Sequence, residues 1–546
     1  METLAQDLTT MVRTPLHDEH VEQLHKLGTK RSFKAGETVL EMGDRQTHFY
    51  YMLEGEMEAL LIDGQRYGEA TLGPTQFVGE IGFLHNGRAL MAIRAVQDSE
   101  VIAVEREAML GLMSQVPSLS DIIVTVFAAR RRAMLERQNS SLTIVGADQD
   151  PNVQRVAAFA SRNRIPFRNL ELGDPETSEV LATCSALPDA PAVIYGKGEV
   201  VEDPTPQRVA RLIGVDMEFD RQDVFDVLIV GGGPAGIAAA VYAGSEGLCA
   251  LVVEDLTIGG QAGTSSRIEN YMGFPTGISG ADLCWRGEIQ AMKFGTRFAM
   301  PRRAVALERI GDVFCVTLDT EEQICARTIV ISTGVQYRKL PLDRLEDFEG
   351  AGVYYAATDL ESRYCRNQEV VVVGGGNSAG QAAMFLARHA KHVHVLVRGD
   401  SLASSMSSYL SSRLDAHSHI TIHYHTEVEA LHGDRTLDGV TLRDNAAETS
   451  ERVGAKGLFI MIGAAPNTSW LGDAVDLDEK GFVCTGMEVG GRSTFETSTH
   501  GMFAVGDVRA GSVKRVASGV GEGSVVISHV WQHVDDLKSK AREHDA

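Results

Sequence analysis

The stretch "DVFDVLIVGGGPAGIAAAVYAGSEGLCALVVED", Asp223 to Asp255, sets the architecture of this chain. An apolar strand runs into Gly231, Gly233 and Gly236, spaced Gly-x-Gly-x-x-Gly, and a helix-forming run follows. A second apolar run ends at Glu254, 23 residues past Gly231 (254 − 231). Each part has a physical task. Gly231 makes the turn, Gly233 lets the backbone approach a pyrophosphate, and Gly236 lets the helix pack closely on the strand. Pro234 and Ala235 open the helix, whose N-terminal N–H groups and dipole favour phosphate. Glu254 is placed to accept from ribose hydroxyls.

The same plan returns in "QEVVVVGGGNSAGQAAMFLARHAKHVHVLVRGD", Gln368 to Asp400. Here Gly374 and Gly376 are followed by Ala379 in the third position, with Asn377 and Ser378 opening the helix. The second strand ends at Arg398, where an acid would bind a 2′-hydroxyl; a guanidinium suits a 2′-phosphate better. NADPH is therefore expected, with NADH the alternative. Arg413 contributes only if the segment between folds back. The chain carries two Rossmann-like dinucleotide-binding domains.

At 546 residues the chain is too long for one core. The net charge of −23 excludes a nucleic-acid partner, which needs a basic face. No apolar run reaches the ~20 residues of a membrane span. The start, "METLAQDLTTMVRTPL", lacks the blocks of a signal peptide. Seven cysteines, at 184, 249, 284, 315, 325, 365 and 484, include no Cys-x-x-Cys and match neither a metal site nor a disulfide framework. No metal is expected, and a cytoplasmic location is the simplest fit.

Two modules precede the first glycine turn. Residues 1–138 read as short strands with Gly turns flanked by helices, a β jelly roll. Its segment "FVGEIGFLHNGRALMAIRA", Phe77 to Ala95, resembles the phosphate-binding cassette of cyclic-nucleotide-binding domains. The resemblance implies that Gly79 permits the anion-facing loop, Glu80 accepts from a ribose hydroxyl and Arg88 pairs a cyclic phosphate. Arg88 lies eight residues beyond Glu80 (88 − 80), about one position closer than the family's spacing. Residues 140–216 follow the strand–helix–strand–hairpin–helix order of a thioredoxin- or glutaredoxin-like α/β insert. Pro191 stands where that family has a cis-proline, but "GADQDPNV" replaces the redox pair and Cys184 is the only thiol.

From residue 222 onward the chain resembles the low-molecular-weight thioredoxin reductase family. The resemblance rests on "IGGQAGTSSRIENYMGFP", "TIVISTGVQYRKL", "GLFIMIGAAPNTSWL" and "GMFAVGDVRAGSVKRVASGVGEGSVV", together with the two glycine turns, all in family order. It implies FAD bound by the first turn with Gly260, Gln261, Asn270, Thr333, Gly334, Gly506 and Asp507. It also implies a helix beginning at Val508 aimed at the flavin. Lys514-Arg515-Val516 replaces a family Arg-Gln-Ala, which leaves the contact made by Arg515 and Val516 open. The implied order is an FAD domain at 222–340 and 456–546, interrupted by an NAD(P)H domain at 341–455, in a homodimer.

The family's Cys-x-x-Cys is missing. Counting back from Arg366, its positions fall near Ala357 and Leu360, and the stretch reads "GVYYAATDLESRYC". Hydride transfer needs only two cofactors held together, whereas disulfide reduction needs an attacking and a resolving thiolate. Three readings follow. The first is an FAD-dependent NAD(P)H oxidoreductase serving a small-molecule or protein electron acceptor. The second is a disulfide reductase using other cysteines, and the third a non-enzymatic sensor. Tyr354 and Tyr355 are candidates for a flavin-facing role against ordinary strand-end packing. Cys365 is the nearest thiol.

Overall fold

The computed structural model describes residues 11–545 apart from 62–63, 69–70, 85–86, 138–141, 148–149, 173–176, 178–189, 197, 216–223, 264, 266–267, 269, 350, 356, 358–360, 363–364 and 404. Cys184, Leu360 and the expected junctions near 140 and 216–222 lie outside the described residues.

The N-terminal module is two antiparallel sheets. One orders Thr29–Phe33, Ser99–Glu105, His48–Glu54 and Phe77–Val78; the other orders Thr38–Leu40, Ala92–Ala95 and Met57–Leu60. Helix α1, Pro117–Arg137, closes the roll with Phe127, whose ring meets Phe77 and Phe83 edge-on at 5.9 and 6.0 Å. Gly79 has φ +134°, and a Cβ there would lie 2.7 Å from the Phe127 ring, so the cassette can only be this tight with glycine.

The next module is a four-stranded sheet, Glu199–Glu202, Ala192–Tyr195, Leu142–Val145 and Arg168–Leu170, in which only the last pair is parallel. This is the thioredoxin-like arrangement expected. Helix α2, Pro151–Arg162, starts on an Asp150 cap that accepts from Asn152 N at 2.8 Å and Val153 N at 3.1 Å. One expectation is corrected. The Ala190–Pro191 bond is trans; the only cis peptide among the described residues is Met300–Pro301.

The first dinucleotide-type sheet orders Arg297–Ala299, Ala250–Val253, Val224–Val230 and Gln323–Ile331, all parallel. Met502–Ala504 also joins Gln323–Ile331 in parallel, and an antiparallel extension follows on Val313–Leu318 and Ala304–Ile310. Helices Pro234–Ser245, Gly280–Lys293 and Val516–Asp545 cover one face, and the antiparallel extension with Trp470, Val475 and Val483 covers the other, so strands buried on both faces read as unbroken apolar runs. Here Cys315 pairs with Cys325 as a disulfide between neighbouring strands, correcting the expectation that the cysteine spacing matches no disulfide. A pairing of this kind depends on strand register, which sequence spacing does not reveal.

The second sheet is wholly parallel: Val353–Tyr354, Ala455–Ile460, Glu369–Val373, His392–Val397 and Ile420–Tyr424. Strand Ala455–Ile460 lies beyond the boundary expected at 455, so this unit runs some residues further than anticipated. The chain enters and leaves it through one two-stranded antiparallel ribbon, Val335–Tyr337 against Ala464–Pro466.

Candidate functional site

Both glycine turns open onto one cleft of 2720 Å³. In the first turn, a Cβ on Gly231 would overlap Ser332 O and one on Gly236 would overlap Gly231 O. At Gly233, by contrast, a Cβ would meet nothing within 4 Å. The turn is thus packed tightly on the protein side and open on the cleft side. Helix α3, Pro234–Ser245, takes Gly233 as its N-cap with no side chain satisfying its first N–H groups. This is the cradle an anionic pyrophosphate requires.

Glu254 sits at the end of the next strand, where the sequence placed it. Its Oε2 accepts from Gly232 N at 2.6 Å and its Oε1 from Leu256 N at 3.3 Å. Burial pushes its carboxyl up to about 7, against the pull of the Gly232 N–H. Gly260, Gln261, Asn270, Thr333 and Gly334 line the same cleft, and Gln261 Nε2 donates to Val335 O at 2.5 Å. Gly506, Asp507, Arg515 and Val516 complete this side. Burial raises the Asp507 carboxyl, with Lys514 drawing it down. The helix expected at Val508 is a 3₁₀ turn, Gly506–Val508; the long helix α6, Val516–Asp545, begins later and brings Val516 to the cleft. Across the loop between them, Arg509 and Gly506 N both donate to Glu522, at 2.7 and 2.6 Å, and join the turn to the helix.

Two contributors escaped the sequence reading. Ser332, buried, donates to Val230 O at 3.0 Å and Gly231 O at 2.8 Å and so braces the first turn. Glu522 lies inside a quoted motif, but nothing in its spacing marks it as the clamp on Gly506.

In the second turn, a Cβ on Gly374 would overlap Met461 O, whereas Gly376 has only Ser405 O at 3.9 Å. Ala379 is fully buried at the third position. Helix α5, Asn377–Leu386, begins on Gly376, and Asn377 Oδ1 accepts from Ser407 N at 2.9 Å. Ser405 Oγ donates to Gly375 O at 2.8 Å, so the segment after Arg398 does fold back. Arg398 and Arg413 consequently line the same cleft as Asn377 and Ser378. Arg413 also donates to Tyr409 Oη at 3.1 Å.

The stretch that replaces the dithiol is also on the cleft. Tyr354, Tyr355 and Ala357 all line it. Tyr354 is 9% exposed with its ring centroid 5.2 Å from that of Phe459, and Tyr355 Oη donates to Glu349 at 2.7 Å. Both side chains are thus anchored within the second unit. Cys365 is fully buried against Gly457, and burial pushes its thiol up to about 12. Burial of this kind disfavours the thiolate that nucleophilic attack needs. Cys284 is likewise buried and raised to about 12, and neither partner of the Cys315–Cys325 disulfide lines the cleft.

In the N-terminal module Glu80 is buried and ion-paired with Arg131, while Arg88 pairs with Glu199 at 3.2 Å. No helix among the described residues is long and apolar enough to cross a membrane.

Residues 225–523 match the family model described as pyridine nucleotide-disulphide oxidoreductase, and residues 30–116 match that of the cyclic nucleotide-binding domain. A thioredoxin reductase of Streptomyces clavuligerus is 36% identical over 302 residues, 55% of this chain and 91% of that one. One of Treponema pallidum is 32% identical over 315 residues, 58% of this chain and 99% of that one. The crystal structure of Lactococcus lactis thioredoxin reductase in its FR conformation superposes with a TM-score of 0.53 at 27% identity, covering 57% of this chain and 99% of the other.

Proposed function

The chain belongs to the pyridine nucleotide-disulphide oxidoreductase family, and we propose that it takes hydride from NADPH onto FAD and passes the electrons on without an internal dithiol. One observation carries this reading: the middle glycine of each turn, Gly233 and Gly376, where added bulk would meet nothing nearer than 3.9 Å, opens a helix onto one shared cleft. The first cradle, with Glu254, Asp507 and Val516, would hold FAD. The second, with Asn377, Ser378, Arg398 and Arg413, would hold NADPH. When bound, a nicotinamide and a flavin supply two-electron hydride transfer themselves. The chain's share is to position them, exclude water and present the 2′-phosphate with arginine rather than acid.

The acceptor we infer is an external small molecule or protein. Among the described cysteines outside the disulfide, Cys365 and Cys284 are buried with raised pKa, Cys249 is exposed, Cys484 is partly so, and none lines the cleft. A cytoplasmic homodimer whose N-terminal module senses a cyclic nucleotide completes the reading. Adding NADPH to the anaerobic holoprotein should bleach the flavin absorbance, and turnover with quinones, ferredoxin or oxygen should survive Cys365→Ser. A flavin that NADPH leaves oxidised would overturn the reading in favour of a sensor. Disulfide reduction abolished by cysteine replacement would overturn the dithiol-free route.

A further inference from the structure

The thioredoxin-like helix α2 turns one stripe of its surface into the cofactor cleft. Pro151, Gln154, Arg155, Ala158 and Arg162 line that cleft, spaced i, i+3, i+4, i+7 and i+11 along a single helical face. The opposite face, with Val153, Val156 and Phe159, is buried in the module's own core. Polar ties hold the helix at the rim. Asn163 Nδ2 donates to Leu256 O at 3.2 Å, two residues past Glu254. Arg164 follows, ion-paired with Asp282 of helix α4, Gly280–Lys293, and lying 4.5 Å over the Trp285 ring. A further tie, Gln207 Nε2 to Asp319 Oδ2 at 2.9 Å, reaches a residue whose Oδ1 accepts from Arg303 N at 3.1 Å. Arg302 and Arg303 face α2 from the flavin unit's side of the cleft, and both are engaged. Arg302 is ion-paired with Glu322, while Arg303 draws down the Asp255 carboxyl that burial raises. Arg155 and Arg162 are different: both are exposed, and among the described residues no carboxylate pairs with either. The whole stripe precedes residue 225, where the family match begins, so it is an addition of this chain to the family's own cleft.

We propose that helix α2 completes the flavin site, with Arg155 and Arg162 holding the adenosine end of FAD. The order of groups along the cofactor sets the neighbourhood. With the pyrophosphate at Gly233 and the ribose at Glu254, the adenine lies past Glu254, toward Asp255 and Leu256. That is the stretch Asn163 grips, and Arg162 is the residue before Asn163. Guanidinium chemistry suits what is there. Its flat face stacks on a purine ring, and its N–H fork pairs with phosphate oxygens. An arginine already paired with an acid would first have to be freed; these two need no such exchange. The helix is fixed in place before the cofactor arrives, so binding orders two side chains and no backbone. A contact made over the rim of a filled site slows departure more than arrival, so the pair acts chiefly on flavin release. The inference rests on the flavin reading above and assigns residues of the thioredoxin-like module to the same site.

The test uses the full-length apoprotein titrated with FAD, with binding read from flavin fluorescence and release from the fluorescence regained on dilution. Arg155→Ala combined with Arg162→Ala should weaken FAD binding by about tenfold or more, with most of the change in the release rate. Arg155→Glu combined with Arg162→Glu should weaken it further, because a carboxylate then faces the phosphate side of the cofactor. Both side chains are exposed, so the urea midpoint of each apoprotein should match the wild type. Amide hydrogen exchange across residues 151–162 should slow when FAD fills the wild-type protein, and slow less in the alanine variant. FAD affinity within twofold of wild type in the glutamate variant overturns the proposal. So does an FAD loss matched by a lowered apoprotein midpoint, which would make the arginines a brace for the fold. So does amide exchange in 151–162 that ignores FAD in the wild type. A wild-type chain that binds no FAD sinks the flavin reading itself. A chain that binds FAD but is not bleached by NADPH loses the proposed activity, while the affinity comparison still decides the role of α2.

Discussion

Asn467 and Thr333 hold each other by two reciprocal hydrogen bonds, Asn467 Nδ2 to Thr333 O at 3.0 Å and Thr333 Oγ1 to Asn467 O at 2.8 Å. They join the chain's return from the second unit to the turn that leaves the first. Asn467→Ala removes the side-chain donor and leaves a part-buried carbonyl without it. The expected cost is about 1–2 kcal/mol of unfolding free energy, measured by urea denaturation of the apoprotein. A wild-type midpoint with an unchanged slope would show that the pair does not tie the two units.

Gly231 and Gly233 are two residues apart and should respond oppositely to alanine. Gly231 has φ +109° and no room beside Ser332 O, so Gly231→Ala should lower stability by roughly 2 kcal/mol or more. Gly233 has φ −73° and open space, so Gly233→Ala should leave the apoprotein within about 0.5 kcal/mol of wild type. Its methyl nevertheless projects where the pyrophosphate would approach. Loss of bound flavin at unchanged stability is the expected signature; full flavin content in Gly233→Ala would place the cofactor elsewhere.

Arg398 and Arg413 line the cleft beside the second turn with no carboxylate in the position of Glu254. Arg398→Ala with Arg413→Ala should raise the KM for NADPH by about tenfold or more and leave that for NADH nearly unchanged, because only the 2′-phosphate loses its partners. Equal effects on both nucleotides would mean that the arginines do not read the phosphate.

Glu288 lines a small cavity of 30 Å³ with Arg131, Trp285 and Met292, and burial pushes its carboxyl up to about 7 despite Arg164 and Arg131 nearby. The folded state keeps this proton over a range where the unfolded chain has released it. Stability from this group is therefore greatest below the ordinary glutamate range, falls as pH rises to about 7, and is level above that. The side chain keeps some exposure, which holds the expected effect to the order of 1–2 kcal/mol. Glu288→Gln should accordingly be more stable than wild type at pH 8 and show a shallower fall between pH 5 and 7. Parallel stability–pH curves for the two proteins would sink this assignment.

The dinucleotide turns were legible because three constraints coincide within each: a buried strand, glycines at fixed offsets and a helix start. The thioredoxin-like insert is legible from its element order, although it carries no Cys-x-x-Cys. What escaped was long-range geometry. The register that joins Cys315 to Cys325 depends on how the strands pair, not on their spacing. Ser332 and Glu522 act through carbonyls and N–H groups that no side-chain pattern announces. Strand Ala455–Ile460 reads as the start of the returning segment, yet it inserts between Val353–Tyr354 and Glu369–Val373. The reading of Glu80 follows from its place in the cassette motif, whereas its actual partner Arg131 comes from a helix 51 residues away in sequence.

The paired strands Val335–Tyr337 and Ala464–Pro466 are the route in and out of the second unit. Two separate linkers would let that unit tumble; two linkers zipped side by side behave as one strap. A strap of this width resists stretching and sliding, because its hydrogen bonds fix the register. The two glycine turns are therefore tied through one register-fixed connection. A substitution that frays the strap would loosen the tie between the two turns without touching either of them.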